Sequence, residues 1–195
     1  MFQPKQKLIN FLESGGKISS IHAEEISRHF DEKDFERNDF FLKEGKVSNE
    51  YLVLEEGMMR SFATDTEGNE VTTAFWQPIQ PVFEVASFFM RLPSQENIQA
   101  ITPCKGWVIQ FDTLNMLFHS MLQFREFGRG ELVKAFASFK TRTLSIITQT
   151  AEERYAELVR SRPEILQHAA LKHIASFLGI TDSSLSRIRK EMMKK

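Results

Sequence analysis

The sequence predicts an α+β protein: a small antiparallel β-roll flanked by helices, then a long helix, then a compact helical module. Three observations carry this. Between Phe35 and Phe111, short apolar runs alternate with polar turns that contain glycine. Further on, Leu132, Phe136, Phe139, Thr143 and Ile146 recur at alternating spacings of four and three along one unbroken helical stretch. From Leu171 to Lys190, two short helical patterns flank Gly179.

Composition narrows the class. Of 195 residues, 42% are hydrophobic and 18 are Phe, enough for a sizeable core. A single cysteine, Cys104, excludes an internal disulfide and a four-thiolate cluster, and the expected compartment is the reducing cytoplasm. The start, MFQPKQKLINFLES, is too polar for a secretory signal, and no apolar run reaches membrane-spanning length. The net charge of −1 argues against nucleic acid until its distribution is read. From His168 to Lys195 six basic residues face two acidic ones, a local +4 against −5 for the rest. Such a module attracts phosphates despite a neutral total.

Taken in order, Leu8, Ile9 and Leu12 have helical spacing before Gly15-Gly16 breaks the helix. A second helix begins near Ser19 or Ser20, with Ile21, Ile26 and Phe30 as its apolar positions and Glu24-Glu25 in its early part. His22 and His29 read as surface residues. The β region starts at Phe35. Phe40–Leu42 stops at Glu44-Gly45, and Tyr51–Leu54 stops at Glu55-Glu56-Gly57. Met58–Thr64 and Val71–Trp76 flank the polar turn Asp65–Asn69 as a hairpin. Ile98–Ile101 and Trp107–Phe111 complete the runs. Asp112 is placed as the cap of a helix from Thr113 to Leu122, and a long helix follows from about Phe124 to Thr148. Its 3.5-residue seam suits either a two-fold dimer or packing on the protein's own barrel. Arg125, Arg129, Lys134, Lys140 and Arg142 read as its solvated face. Thr150-Ala151-Glu152-Glu153 is a capping box that opens a fresh helix ending before Pro163.

The last module reads as a helix-turn-helix. Leu171, Ile174, Ala175 and Leu178 share one face of its first helix. Gly179 supplies the left-handed residue that ends it, Ile180 plugs the turn, and Thr181 caps the next helix. There Leu185, Ile188 and Met192 face inward, while Ser183, Ser186, Arg187 and Lys190 face out. An αα-corner buried in some other domain has no need of that outer face. A helix of this kind enters the DNA major groove. Arg187 suits a bidentate contact to guanine O6 and N7, whereas Ser183 and Ser186 suit bases or phosphates. Asp182 suits cytosine N4 or the helix dipole. Arg189 points to the flank of the buried face, where a phosphate or an internal ion pair fits it.

The order of roll, long helix and helix-turn-helix resembles the Crp/Fnr family of bacterial transcription regulators over nearly the whole chain. The residues that carry this are Phe41-Leu42-Lys43-Glu44-Gly45, Leu54-Glu55-Glu56-Gly57, Glu67-Gly68 with Glu70-Val71, and Leu178-Gly179-Ile180-Thr181 through Leu185-Ser186-Arg187-Ile188. The resemblance implies a cyclic-nucleotide-binding-like sensor domain at 1–122, a dimerisation helix at 123–148 and a DNA-binding domain at 149–195. It implies a homodimer, double-stranded DNA and RNA polymerase as partners, Arg187 as the base-reading arginine, and no enzymatic activity. Two departures matter. The family's phosphate cassette has Gly-Glu and then, ten residues after the Glu, an Arg followed by Ser or Thr. Here Glu84 follows Phe83, and the Arg and Ser/Thr positions hold Ser94 and Gln95. Arg91 is the nearby cation, so Glu84, Arg91, Ser94 and Gln95 form the candidate effector pocket. The expectation is that cAMP does not bind and that any effector is another small molecule, with control by the protein's own concentration as the remaining option. Second, family members continue into a β-hairpin wing, whereas this sequence stops at Lys195. It reads as a short wingless member whose DNA affinity leans on Lys194 and Lys195.

Two other classes compete. A cupin-type enzyme needs a His/Glu metal cluster on the strands, yet Phe35–Phe111 contains no histidine. His168 and His173 stand five apart, off the spacing of paired helical ligands, and His119 reads as a helix-surface residue rather than a haem ligand. A ligand-sensing module that acts through protein partners without DNA has no use for the basic outer face.

Overall fold

The computed structural model describes residues 5–193. Helices α1 (Gln6–Glu13) and α2 (Ser20–Ser27) pack together across the glycine break, and the Ser19 side chain caps α2 by accepting the His22 N–H. Ala23 and Ile26 take the inward face of α2. Ile21, expected inside, is 79% exposed. It stands about 140° around the helix from Ile26 at 3.6 residues per turn.

Eight strands follow among the described residues: β1 (Asp31–Phe35), β2 (Phe40–Leu42), β3 (Glu50–Glu56), β4 (Met59–Thr64), β5 (Glu70–Trp76), β6 (Pro81–Val82), β7 (Asn97–Ala100) and β8 (Cys104–Gln110). All pairings are antiparallel and form two four-stranded sheets, ordered β1-β8-β3-β6 and β2-β7-β4-β5. The turn between β3 and β4 needs Gly57. Its φ of 89° lies in the left-handed region, and a Cβ there would overlap the Pro103 carbonyl oxygen.

The continuous apolar run in β3 has a simple reason. Leu52 and Leu54 face the roll interior with Met59, Val82, Ile98 and Val108. Val53 faces the other way, into a second core with Leu8, Ile26, Phe30, Trp107, Leu114 and Phe127. A strand covered on both faces loses its alternation. β1 corrects the expected start at Phe35. Asp-Glu-Lys-Asp-Phe has almost no apolar signal, and its strand form comes from edge pairing with β8, in the register Asp31↔Val108 to Phe35↔Cys104. The short helix α3 (Val85–Met90) between β6 and β7 was also outside the expected elements.

α4 (Phe111–Ser120) has Gln110 at its N-cap position, so Asp112 is not its cap but lies in its first turn, where a carboxylate still favours the positive helix end. α5 (Leu122–Thr148) is the expected long helix, with only Phe124 and Phe127 buried. The rest of its apolar face does not pack on the roll: Phe136 is 70% and Ile147 73% exposed, and Leu132, Val133, Phe139, Leu144 and Ile146 are exposed too. Thr143 is half-buried. α6 (Ala151–Ser161) carries both hydrogen bonds of its capping box, Thr150 N–H to Glu153 Oε2 (2.8 Å) and Glu153 N–H to Thr150 Oγ1 (3.3 Å). α7 (Pro163–His168), α8 (Leu171–Leu178) and α9 (Asp182–Met192) complete the chain. No helix among the described residues is long and apolar enough to cross a membrane.

Candidate nucleic-acid interface

The turn between α8 and α9 is built by local hydrogen bonds. Gly179 has φ 69°, its N–H donates to Ser176 O, and the Ile180 N–H donates to Ala175 O, both at 3.0 Å. This is a Schellman ending, with Ile180 packed in the same cluster as Ile174 and Ala175. Thr181 caps α9 by accepting the Ser184 N–H at 3.3 Å. Leu185 and Ile188 are buried, which sets the helix rotation; Met192, expected inside, is exposed.

That rotation leaves Thr181, Asp182, Ser183, Ser186, Arg187, Arg189 and Lys190 exposed. The Thr181 hydroxyl is committed to the cap and lies 3.0 Å from Ser183 Oγ. Arg187, Arg189 and Lys190 form no ion pair among the described residues, so the internal pairing considered for Arg189 is not made. Lys194 and Lys195 lie outside the described residues.

The module is docked on the roll. α8 lies on the outer face of the β2-β7-β4-β5 sheet, where Phe177 meets Phe75 with ring centroids 5.1 Å apart, and Met58 and Ile101 join the same core. The Thr72 N–H donates to Ser176 Oγ at 3.1 Å. Beside this contact Arg60, 3% exposed, donates to Glu70 Oε2 at 2.5 Å and to Gln99 Oε1 at 3.2 Å. His173 Nε2 lies 3.9 Å from the same Glu70 oxygen. A cleft of about 670 Å3 separates hairpin residues Asp65, Asn69 and Glu70 from Lys172, Thr181 and Asp182.

Burial, together with the positive charges of Arg60 and Lys172, depresses the His173 pKa to about 4; the acids Glu70 and Asp182 oppose this only in part. Above pH 6.5 the imidazole is neutral whether docked or free, and the contact is at full strength. As the pH falls from 6.5 toward 4, the free form takes a proton that the docked form refuses, so docking weakens. The expected result is a loss of urea stability as the pH falls from about 6.5 to about 4 that His173→Gln reduces. An unchanged slope in the variant would assign the acid sensitivity to other groups.

The candidate effector residues turn to other tasks. Glu84 caps α3, accepting the N–H groups of Ala86 and Ser87. Arg91 donates to Ser48 O at 2.7 Å and to Asn49 Oδ1, and lies over the Phe111 ring. Ser94 is buried in a turn, its Oγ donating to Glu96 O and accepting the Glu96 N–H. Gln95 is exposed. None of the four lines that cleft or a second one of about 440 Å3, bounded by Phe40–Lys43, Lys46–Glu50 and Gln110. Inside the roll, Trp76 Nε1 donates to Ser61 Oγ at 2.8 Å. Among the described residues no three His, Cys, Asp or Glu side chains gather as a metal site.

Residues 32–121 match the family model of the cyclic nucleotide-binding domain. FixK2 from Bradyrhizobium japonicum superposes with a TM-score of 0.74 at 16% identity, covering 85% of each chain. A protein from Eubacterium rectale assigned to the crp/fnr family of transcriptional regulators gives 0.73 at 13% identity, covering 94% of this chain and 88% of that one. The chain has the Crp/Fnr fold. The c-di-GMP-responsive global regulator CLP of Xanthomonas campestris shares it, with a TM-score of 0.70 at 14% identity over 92% of both chains. No curated protein sequence matches the chain significantly. Within the Crp/Fnr fold, α5 is the long helix after the roll and α8–α9 the helix-turn-helix. One residue read as solvated face proves otherwise: Arg142 of α5 is half-buried and donates to Phe177 O. Its local sequence carries no sign of this, because the acceptor lies on another helix.

Proposed function

We propose that the chain is a homodimeric, sequence-specific DNA-binding transcription regulator of Crp/Fnr type that works without cAMP. The observation that carries this is the outer face of α9. Arg187 and Lys190 stand exposed, without ion pairs among the described residues, on a helix whose rotation is fixed by the buried Leu185 and Ile188. A second copy is the natural cover for the bare apolar face of α5, since nothing among the described residues buries that face. Two parallel α5 helices then carry two α9 helices about one turn of DNA, roughly 34 Å, apart. The test is fluorescence anisotropy of the purified chain on its own upstream DNA, at two salt concentrations and beside scrambled DNA. Salt-sensitive binding that prefers upstream DNA supports the reading; no binding at low salt to any duplex sinks it and favours a module acting through protein partners.

The tasks already held by Glu84, Arg91 and Ser94 support independence from cAMP. Glu84 and Ser94 spend their polar atoms on the local backbone, Arg91 is turned toward Ser48 O and Asn49 Oδ1, and Phe83 fills the place where a glycine would admit a phosphate. A ligand at about a hundred times its Kd adds about 2.7 kcal/mol of stability. Millimolar cAMP is therefore expected to leave both the thermal midpoint and the DNA affinity unchanged, and a clear shift in either would refute this.

A further inference from the structure

The carbonyl end of α8 is gripped by two arginines from outside the helix-turn-helix. Arg142 of α5 donates from Nη2 to Phe177 O at 3.0 Å, and its guanidinium lies 4.4 Å from the centre of the Phe177 ring. Arg154 of α6 donates Nε and Nη2 to Leu178 O at 3.2 and 2.9 Å, and Nη1 to Gln149 O at 2.6 Å. Phe177 and Leu178 are the last residues before Gly179, so both cations meet the negative end of α8 and hold the turn itself. Glu96, just before β7, attracts Arg142 from the roll. Arg142 thus stands where α5, the roll and α8 meet.

The backbone between α5 and α6 is a short extended joint at Gln149 and Thr150. Two such residues leave a rotational freedom that the packing of α8 on the roll limits. A planar guanidinium that both donates to a carbonyl and stacks on the neighbouring ring closes that freedom, which a lysine ammonium does not. We infer that Arg142, with Arg154, is a positioning residue that fixes α9 relative to α5 and so sets the half-site spacing the dimer accepts. This rests on the dimeric DNA-binding reading above.

The test selects duplexes of about three helical turns from a randomised library, with the full wild-type chain and with Arg142→Gln. Both pools are expected to contain the same half-site. The wild-type pool keeps one spacing, near one turn of DNA, and the Arg142→Gln pool spreads over neighbouring spacings. In anisotropy, shifting the spacing by one base pair costs the wild type about tenfold and the variant about twofold, with single half-site binding equal. Arg142→Lys loosens the spacing as Gln does; full rescue by lysine would overturn the role of the planar group. The same single spacing in both pools overturns the inference, as does loss of the half-site itself, which would mark Arg142 as mere support for the fold. Should Arg142→Gln fail to fold, Arg154→Gln makes the same test from α6. No enrichment by the wild-type chain would be a failure of the DNA-binding reading, and this inference falls with it.

Discussion

Arg187→Ala weakens binding to the operator selected by the wild-type chain by roughly tenfold to a hundredfold per half-site, and leaves binding to scrambled DNA nearly unchanged. The reason is geometric. Arg187 is exposed, and Ser183 and Lys190 flank it on the same side of α9, opposite Leu185 and Ile188. A bidentate guanine contact is worth about 1–3 kcal/mol of discrimination, and a two-fold dimer makes it twice. Lys190→Ala is the contrast: it weakens all duplexes alike and lowers the salt slope by about one. If Arg187→Ala keeps the preference for the operator, base reading belongs to Ser183, Ser186 or Asp182. The arginine then serves the phosphates.

A second large effect is expected at α5. Phe136→Glu combined with Ile147→Glu turns the protein into a monomer at micromolar concentration by analytical ultracentrifugation. The same change lowers operator affinity a hundredfold or more, on the order of losing one half-site. Phe136 and Ile147 are 70% and 73% exposed in the single chain, so the thermal unfolding of each protomer changes little. In the dimer, burying an unpaired carboxylate costs several kcal/mol, and the two-fold axis doubles the number of charges. A variant that stays dimeric would place the interface elsewhere. The expected seam is Leu132, Phe136, Phe139, Thr143 and Ile146. Val133, Leu144 and Ile147 are exposed beside it, so the apolar face of α5 extends past that seam.

The helix-turn-helix was legible in the sequence because its devices are local. The Gly179 ending, the Thr181 cap and the Thr150–Glu153 capping box all close within five residues. Backbone chemistry at that range is written in the residues themselves. The glycine turns and hairpin strands were legible for the same reason, and the roll, long helix and helix-turn-helix appear in the order expected. Tertiary structure alone decided the rest. β1 is a strand because β8 supplies its partners from 69 to 77 positions away, and nothing apolar in Asp31–Asp34 announces it. Glu84 aligns with a phosphate cassette, yet the helix that follows it takes both carboxylate oxygens. The docking of α8 on the roll rests on Thr72 and Ser176, 104 residues apart, and on Arg142 reaching Phe177, 35 apart. Contacts of that range depend on how whole elements pack. A single charged residue on a helix carries no record of which distant carbonyl will face it.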